Sequence, residues 1–132
     1  MNDNKNYSDP TECISEYVRK NNRTLMIQYL YDFLYMDKIR PGKVHKLLAK
    51  LPFKTIITTN FDTLIERSFT METNVNKIYD SDDFLLKRRE DFKLVKLHGD
   101  FDLIRTIIIT KEDYDNVANT SLYRNNIKGL IF

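Results

Sequence analysis

The run Lys54-Thr55-Ile56-Ile57-Thr58-Thr59 is short, β-branched and nearly uniform, and helical patterns lie before and after it. A run of that kind reads as a buried strand of a parallel sheet, because both of its faces must meet apolar neighbours. It therefore constrains the rest of the chain to an α/β layer arrangement. Upstream, Asp9, Pro10 and Glu12 form a helix start, with Ile14, Tyr17 and Val18 at helical spacing. A second helix begins with Thr24 as its cap and carries Leu25, Ile27, Leu30, Phe33 and Leu34. Arg40-Pro41-Gly42 is a turn, and a short helix spans 44–51.

Downstream, two further strands are predicted at 93–97 and 105–109, and 75–79 gives a weaker fourth pattern. Residues 63–69 have helical spacing, and 81–88 reads as a helical turn. Thr110 with Asp113 is a capping signal for a last helix that runs to about residue 128. Gly129 to Phe132 has the pattern of the first residues of another strand. The expected organisation is one domain, with a helical segment at 1–52 and an α/β segment at 53–132. Its fold class is α/β: a mainly parallel sheet with flanking helices.

Several functional classes fall away on composition. The only glycines are Gly42, Gly99 and Gly129, so neither a Walker loop nor the dinucleotide fingerprint can be written onto the chain. The net charge of +2 is too balanced for a nucleic-acid groove. One cysteine, Cys13, and two histidines, His45 and His98, cannot build a structural zinc site or an internal disulfide. No window approaches a membrane span or a signal peptide, so a cytoplasmic setting with no membrane contact is expected.

In open α/β sheets, ligands bind beyond the carboxyl ends of the strands. Two such ends carry polar clusters here: Thr58-Thr59-Asn60-Phe61-Asp62 and Leu97-His98-Gly99-Asp100. On spacing alone the first is more often a turn capped by Asp62, which leaves Asn60 as a spare amide with donors and an acceptor. His98 alone is more often a strand-end histidine bonded to a nearby loop. It also exchanges a proton near neutral pH, as a general base must. His45 lies among Lys43 and Lys46 and reads as a surface or packing residue.

Taken together, the clusters have a second meaning. Leu51 to Glu66 resembles the central motif of sirtuin-like domains, and most of all the prokaryotic branch found in antiphage-defence NAD hydrolases. Lys96-Leu97-His98-Gly99-Asp100 resembles that branch's histidine motif, and Ile107 to Tyr114 resembles the segment that follows it. The three stand in family order over about residues 40–116. The resemblance implies a Rossmann-like NAD-binding domain. Asn60 and His98 would be the catalytic pair, and Thr58, Thr59, Asn60 and Asp62 the NAD-contacting set. Thr59 stands where the protein-deacylating members carry glutamine, and His98 matches the general base.

The sequence also departs from that family. The Gly-Ala-Gly-x-Ser-type phosphate loop is absent upstream, and a downstream Gly-x-Ser-type strand end is not reached. The chain thus reads as an incomplete sirtuin-like domain, with weak NAD affinity and low stability unless flanking segments or another copy complete it. NAD hydrolysis is the leading expectation for the parent activity. NAD-dependent protein deacylation and an inactive, partner-dependent module are the alternatives. The missing zinc cysteines favour the hydrolase.

Overall fold

The computed structural model describes residues 9–80, 83 and 92–119. Helix α1 spans Pro10–Lys20 and begins where predicted: the Asp9 carboxylate accepts the Thr11 N–H at 2.9 Å and the Thr11 hydroxyl at 2.8 Å. Helix α2 spans Arg23–Phe33 and is capped by Asn22, whose side chain accepts from Thr24 N–H at 2.7 Å. Thr24 is therefore inside the helix and not its cap. Helix α3 spans Lys43–Leu48. The His45 Nδ1 accepts the Gly42 N–H at 3.2 Å, so this histidine satisfies an orphan donor at the helix start.

Three strands follow: β1 at Thr55–Thr58, β2 at Val75–Ile78 and β3 at Phe92–Lys96. They form one sheet in the order β1-β3-β2, parallel throughout. Helix α4 spans Lys111–Asn119. The arrangement is Rossmann-like: a parallel sheet with flanking helices. The central strand is the most enclosed, with Leu94, Val95 and Lys96 all buried.

Two elements differ from the prediction. The weaker pattern at 75–79 is a true strand, whereas 105–109 is not. There the chain makes a 3-10 turn at Ile104–Thr106 and then runs extended. Ile107 and Ile109 are buried with Ile27, against Ile14, Met26, Leu30, Phe61 and Phe101. Burial of each isoleucine contributes about 1.5–3 kcal/mol. The backbone of this stretch is satisfied by other groups. His98 C=O accepts from Ile108 N–H at 2.9 Å, Ile107 C=O accepts from the Arg23 guanidinium, and Asp113 accepts from Ile109 N–H at 3.1 Å. The second difference follows Asp62, where the predicted helix is only turns ending in a 3-10 turn at Glu66–Ser68.

The helical layer is joined to α4 by polar contacts. Ser15 donates to Thr11 C=O at 2.7 Å and accepts the Lys111 N–H at 2.8 Å, so one hydroxyl links two helices. Arg23 pairs with Asp113 at 2.7 Å, and Arg19 pairs with Glu112. The predicted features at 81–88 and 120–132 lie outside the described residues, except Asp83. Among the described residues, no helix is long and apolar enough to cross a membrane.

Candidate functional site

The parallel register decides what stands beside what. Thr58 of β1 is opposite Lys96 of β3. Asn60 lies two residues beyond Thr58 and His98 two beyond Lys96, so the two leave the sheet at one level from adjacent strands. Backbone bonds hold the two turns together. Leu97 N–H donates to Thr58 C=O at 2.9 Å, and Phe101 N–H donates to Phe61 C=O at 3.1 Å.

Each predicted residue has a definite local environment. Thr58 uses its hydroxyl to accept the Asn60 N–H at 3.1 Å, which shapes the turn. Thr59 and Asn60 are exposed. Asp62 accepts the Leu64 N–H at 2.9 Å and is half-buried. It caps a turn, as spacing suggested, though no α-helix follows. A cavity of about 310 Å³ opens here, lined by Thr59, Asn60 and Asp62 on its polar side. Leu34, Met36, Ile39, Phe61 and Phe101 form its apolar walls. Thr58 and His98 do not line it.

The Phe61 ring, which lines the cavity, lies 6.4 Å from the His98 imidazole between ring centres. Tyr114 meets the imidazole edge-on at 5.3 Å. Burial between these rings lowers the pKa of His98 below its ordinary 6.5. The imidazole is thereby kept neutral near pH 7, the form that can accept a proton. The turn that follows requires glycine. Gly99 has φ +84°, and a Cβ there would lie 2.2 Å from the Thr106 carbonyl oxygen.

Beneath these turns lies an ionic cluster that the sequence reading did not single out. Lys96 and Asp100 are fully buried. Lys96 Nζ donates to the Asp62 carbonyl and approaches Glu66 at 3.1 Å and Asp100 at 3.3 Å. Lys77 of β2 reaches Asp100 at 2.7 Å, Asp102 at 2.9 Å and Glu66 at 3.2 Å. The Tyr79 hydroxyl donates to Asp100 at 3.1 Å.

The electrostatics follow from this geometry. Burial opposes the charge on Lys77, but the Asp100 and Asp102 carboxylates outweigh it and raise its pKa. Burial likewise disfavours the Asp100 carboxylate, yet Lys77, the Asp102 N–H and Lys96 hold its pKa down. Tyr79 is raised by burial and by the Asp100 charge. A lysine within a strand reads as solvent-facing by pattern. The one available signal was two lysines in neighbouring strands followed by acidic loops.

Residues 54–131 match the SIR2-like domain. The chain is 33% identical over 117 residues to an NAD(+) hydrolase ThsA of Cytobacillus dafuensis, in an alignment covering 86% of this chain and 23% of that protein. It is 30% identical over 134 aligned positions to an NAD(+) hydrolase ThsA of Enterococcus faecium, covering 96% and 28%. A third, from Acinetobacter baumannii, is 34% identical over 112 residues, covering 83% and 23%. The chain therefore spans 23–28% of the length of these relatives.

Proposed function

The chain belongs to the SIR2-like domain family, and we propose that it carries the reacting end of an NAD hydrolase site, with Asn60 and His98 as the catalytic pair. The observation that supports this most is the parallel pairing of β1 with β3, which brings Asn60 and His98 to one level beyond the sheet. Similarity to proteins named as NAD(+) hydrolases adds to it.

The substrate would be NAD, with its nicotinamide end in the cavity beside Asn60. Phe61 and Phe101 offer aromatic faces to a flat ring, and Asn60 and Asp62 offer polar partners for a carboxamide. Thr58 shapes the turn, and Thr59 adds a hydroxyl to the cavity wall. Hydrolysis breaks the bond between C1′ of the ribose and the nicotinamide nitrogen. The bonding electron pair leaves on nicotinamide, and a water oxygen bonds to C1′. His98, neutral at working pH, accepts the proton that the water gives up. Asn60 orients that water or a ribose hydroxyl without adding charge.

The test is nicotinamide release from NAD by the purified chain, with and without an acylated peptide. Asn60→Ala and His98→Ala are each expected to reduce release by about 100-fold or more. Release that survives His98→Ala would defeat the assignment. Release that requires the acylated peptide would favour deacylation instead.

A further inference from the structure

We infer that Lys96 is a positioning residue that ties the turn carrying Asn60 to the turn carrying His98, so that one buried ammonium sets the geometry of both. The inference rests on the reading of Asn60 and His98 as a working pair. It stands on three contacts of one atom. Lys96 Nζ donates to the Asp62 carbonyl in the first turn, and pairs with Asp100 at 3.3 Å in the second. It also meets Glu66 at 3.1 Å, just beyond the first turn. The side chain is 1% exposed, so these bonds replace hydration.

The position in the sheet explains why a lysine is needed. Lys96 is the last residue of the central strand, and both turns begin within two residues of its level. An apolar side chain there would fill the space but leave the Asp62 carbonyl without this donor. It would also leave Glu66 and Asp100 buried with only Lys77 between them. Glu66 Oε2 is already buried with no hydrogen-bond partner among the described residues. Lys77 does not substitute: it reaches Glu66, Asp100 and Asp102 but, among the described residues, makes no bond to the first turn's backbone. Lys96 therefore connects the two turns, while Lys77 neutralises the acids.

The decisive experiment compares Lys96→Met and Lys96→Arg with Leu94→Ala, a core change two residues earlier on the same strand. Backbone and side-chain NMR signals of residues 59–62 and 98–100 are recorded in the ligand-free chain, and nicotinamide release is measured alongside. Lys96→Met should shift or broaden both sets of turn signals and lower kcat by about 100-fold, with KM little changed. Lys96→Arg should recover much of both. Leu94→Ala should lower the melting temperature and leave the turn signals in place. Unmoved signals at Asn60 and His98 in Lys96→Met, or equal movement in Leu94→Ala, would overturn the inference. Should Lys96→Met fail to fold, Asp100→Asn read at residues 59–62 serves instead: movement there supports the tie and its absence refutes it. If the unsubstituted chain releases no nicotinamide, the proposed activity falls, and the NMR comparison still decides the role of Lys96.

Discussion

Replacing Gly99 with alanine should be the most damaging single-methyl change within the described residues. Two penalties combine. The φ of +84° places an L-residue in the left-handed region, at a cost of about 1–2 kcal/mol. The new Cβ would also stand 2.2 Å from the Thr106 oxygen, 2.3 Å from its carbonyl carbon and 2.6 Å from Ile107 N. All three are backbone atoms, so no side chain can swing aside. Overpacking of this kind costs a further 1–3 kcal/mol, roughly. The expected loss is about 2–5 kcal/mol out of a total of about 5–15 for a domain of this size. With about 4 °C of melting temperature for each kcal/mol at 132 residues, the midpoint should fall by about 8–20 °C. Circular dichroism melts would measure it, with Gly42→Ala as the comparison. At Gly42 a Cβ meets only His45 Nδ1, at 3.8 Å, and the expected change is within about 4 °C. A drop at Gly99 no larger than that at Gly42 would refute the reasoning. In a folded Gly99→Ala, hydrogen exchange at Ile108 N–H should speed up, because its acceptor is the His98 carbonyl.

Asp113→Ala should cost about 2–4 kcal/mol in chemical denaturation, since that carboxylate accepts from Ile109 N–H, Thr110 N–H and Arg23. Burial works against the Asp113 charge, but the Thr110 N–H and Arg23 outweigh it and hold its pKa below 3.8. Its contribution is thus full above about pH 3.8 and is lost as pH falls through the native value; a difference between wild type and mutant that does not shrink below pH 4 would contradict this. For His98, burial lowers the native pKa, so the unfolded chain binds the proton more readily. Stability should fall as pH drops through 6.5 toward the native value, with no contribution above that range. An NMR titration of the imidazole with a midpoint at or above 6.5 would rule this out. Tyr35, a non-glycine residue at φ 53°, is strained where α2 ends. Tyr35→Gly should raise stability by about 0.5 kcal/mol after the entropy of the unfolded chain is counted, and a lowered denaturation midpoint would show the strain is absent.

The parts of the fold legible in the sequence are those in which a local pattern and its burial agree. The Asp9 cap of α1 stands as read, and the β-branched run is a strand, but β1 is not the buried strand expected: none of its residues is fully buried and Ile57 is exposed. The exchange between 75–79 and 105–109 has a physical reason. An apolar triple such as Ile107-Ile108-Ile109 reports burial, but it does not report where its backbone hydrogen bonds go. Here they go to Arg23, Asp113 and the His98 carbonyl, so the stretch is buried without a ladder among the described residues. In Val75–Ile78, Asn76 and Lys77 dilute the strand signal. Lys77 is nevertheless enclosed because two of its acids, Asp100 and Asp102, come from a loop more than twenty positions away. Asn60 and His98 stand out locally as polar residues at strand ends, but it is the resemblance, not their spacing, that makes them a candidate pair. Lys96, Glu66 and Asp100 do not stand out, because their pairing exists only once the three strands are aligned.

The order of the strands bears on how firmly the candidate pair is held. The chain leaves β1, forms β2 at the far side, and returns to insert β3 between them. His98 thus follows a strand paired on both sides, whereas Asn60 follows a strand paired on one side among the described residues. The burial gradient agrees: Leu94, Val95 and Lys96 are enclosed, while Ile57 of β1 is exposed. Left to the sheet, the two turns would have unequal freedom, with the Asn60 side the looser. The extra bonds all reach from the firm strand's side to the loose turn. Leu97 N–H donates to Thr58, Phe101 N–H to Phe61, and Lys96 Nζ to Asp62. Three donors that belong to the histidine side, with three acceptors on the asparagine side, make β3 the reference against which the Asn60 turn is set. Removing the Lys96 amine at the end of β3 should therefore disturb both residues, and a change confined to β1 should disturb Asn60 first.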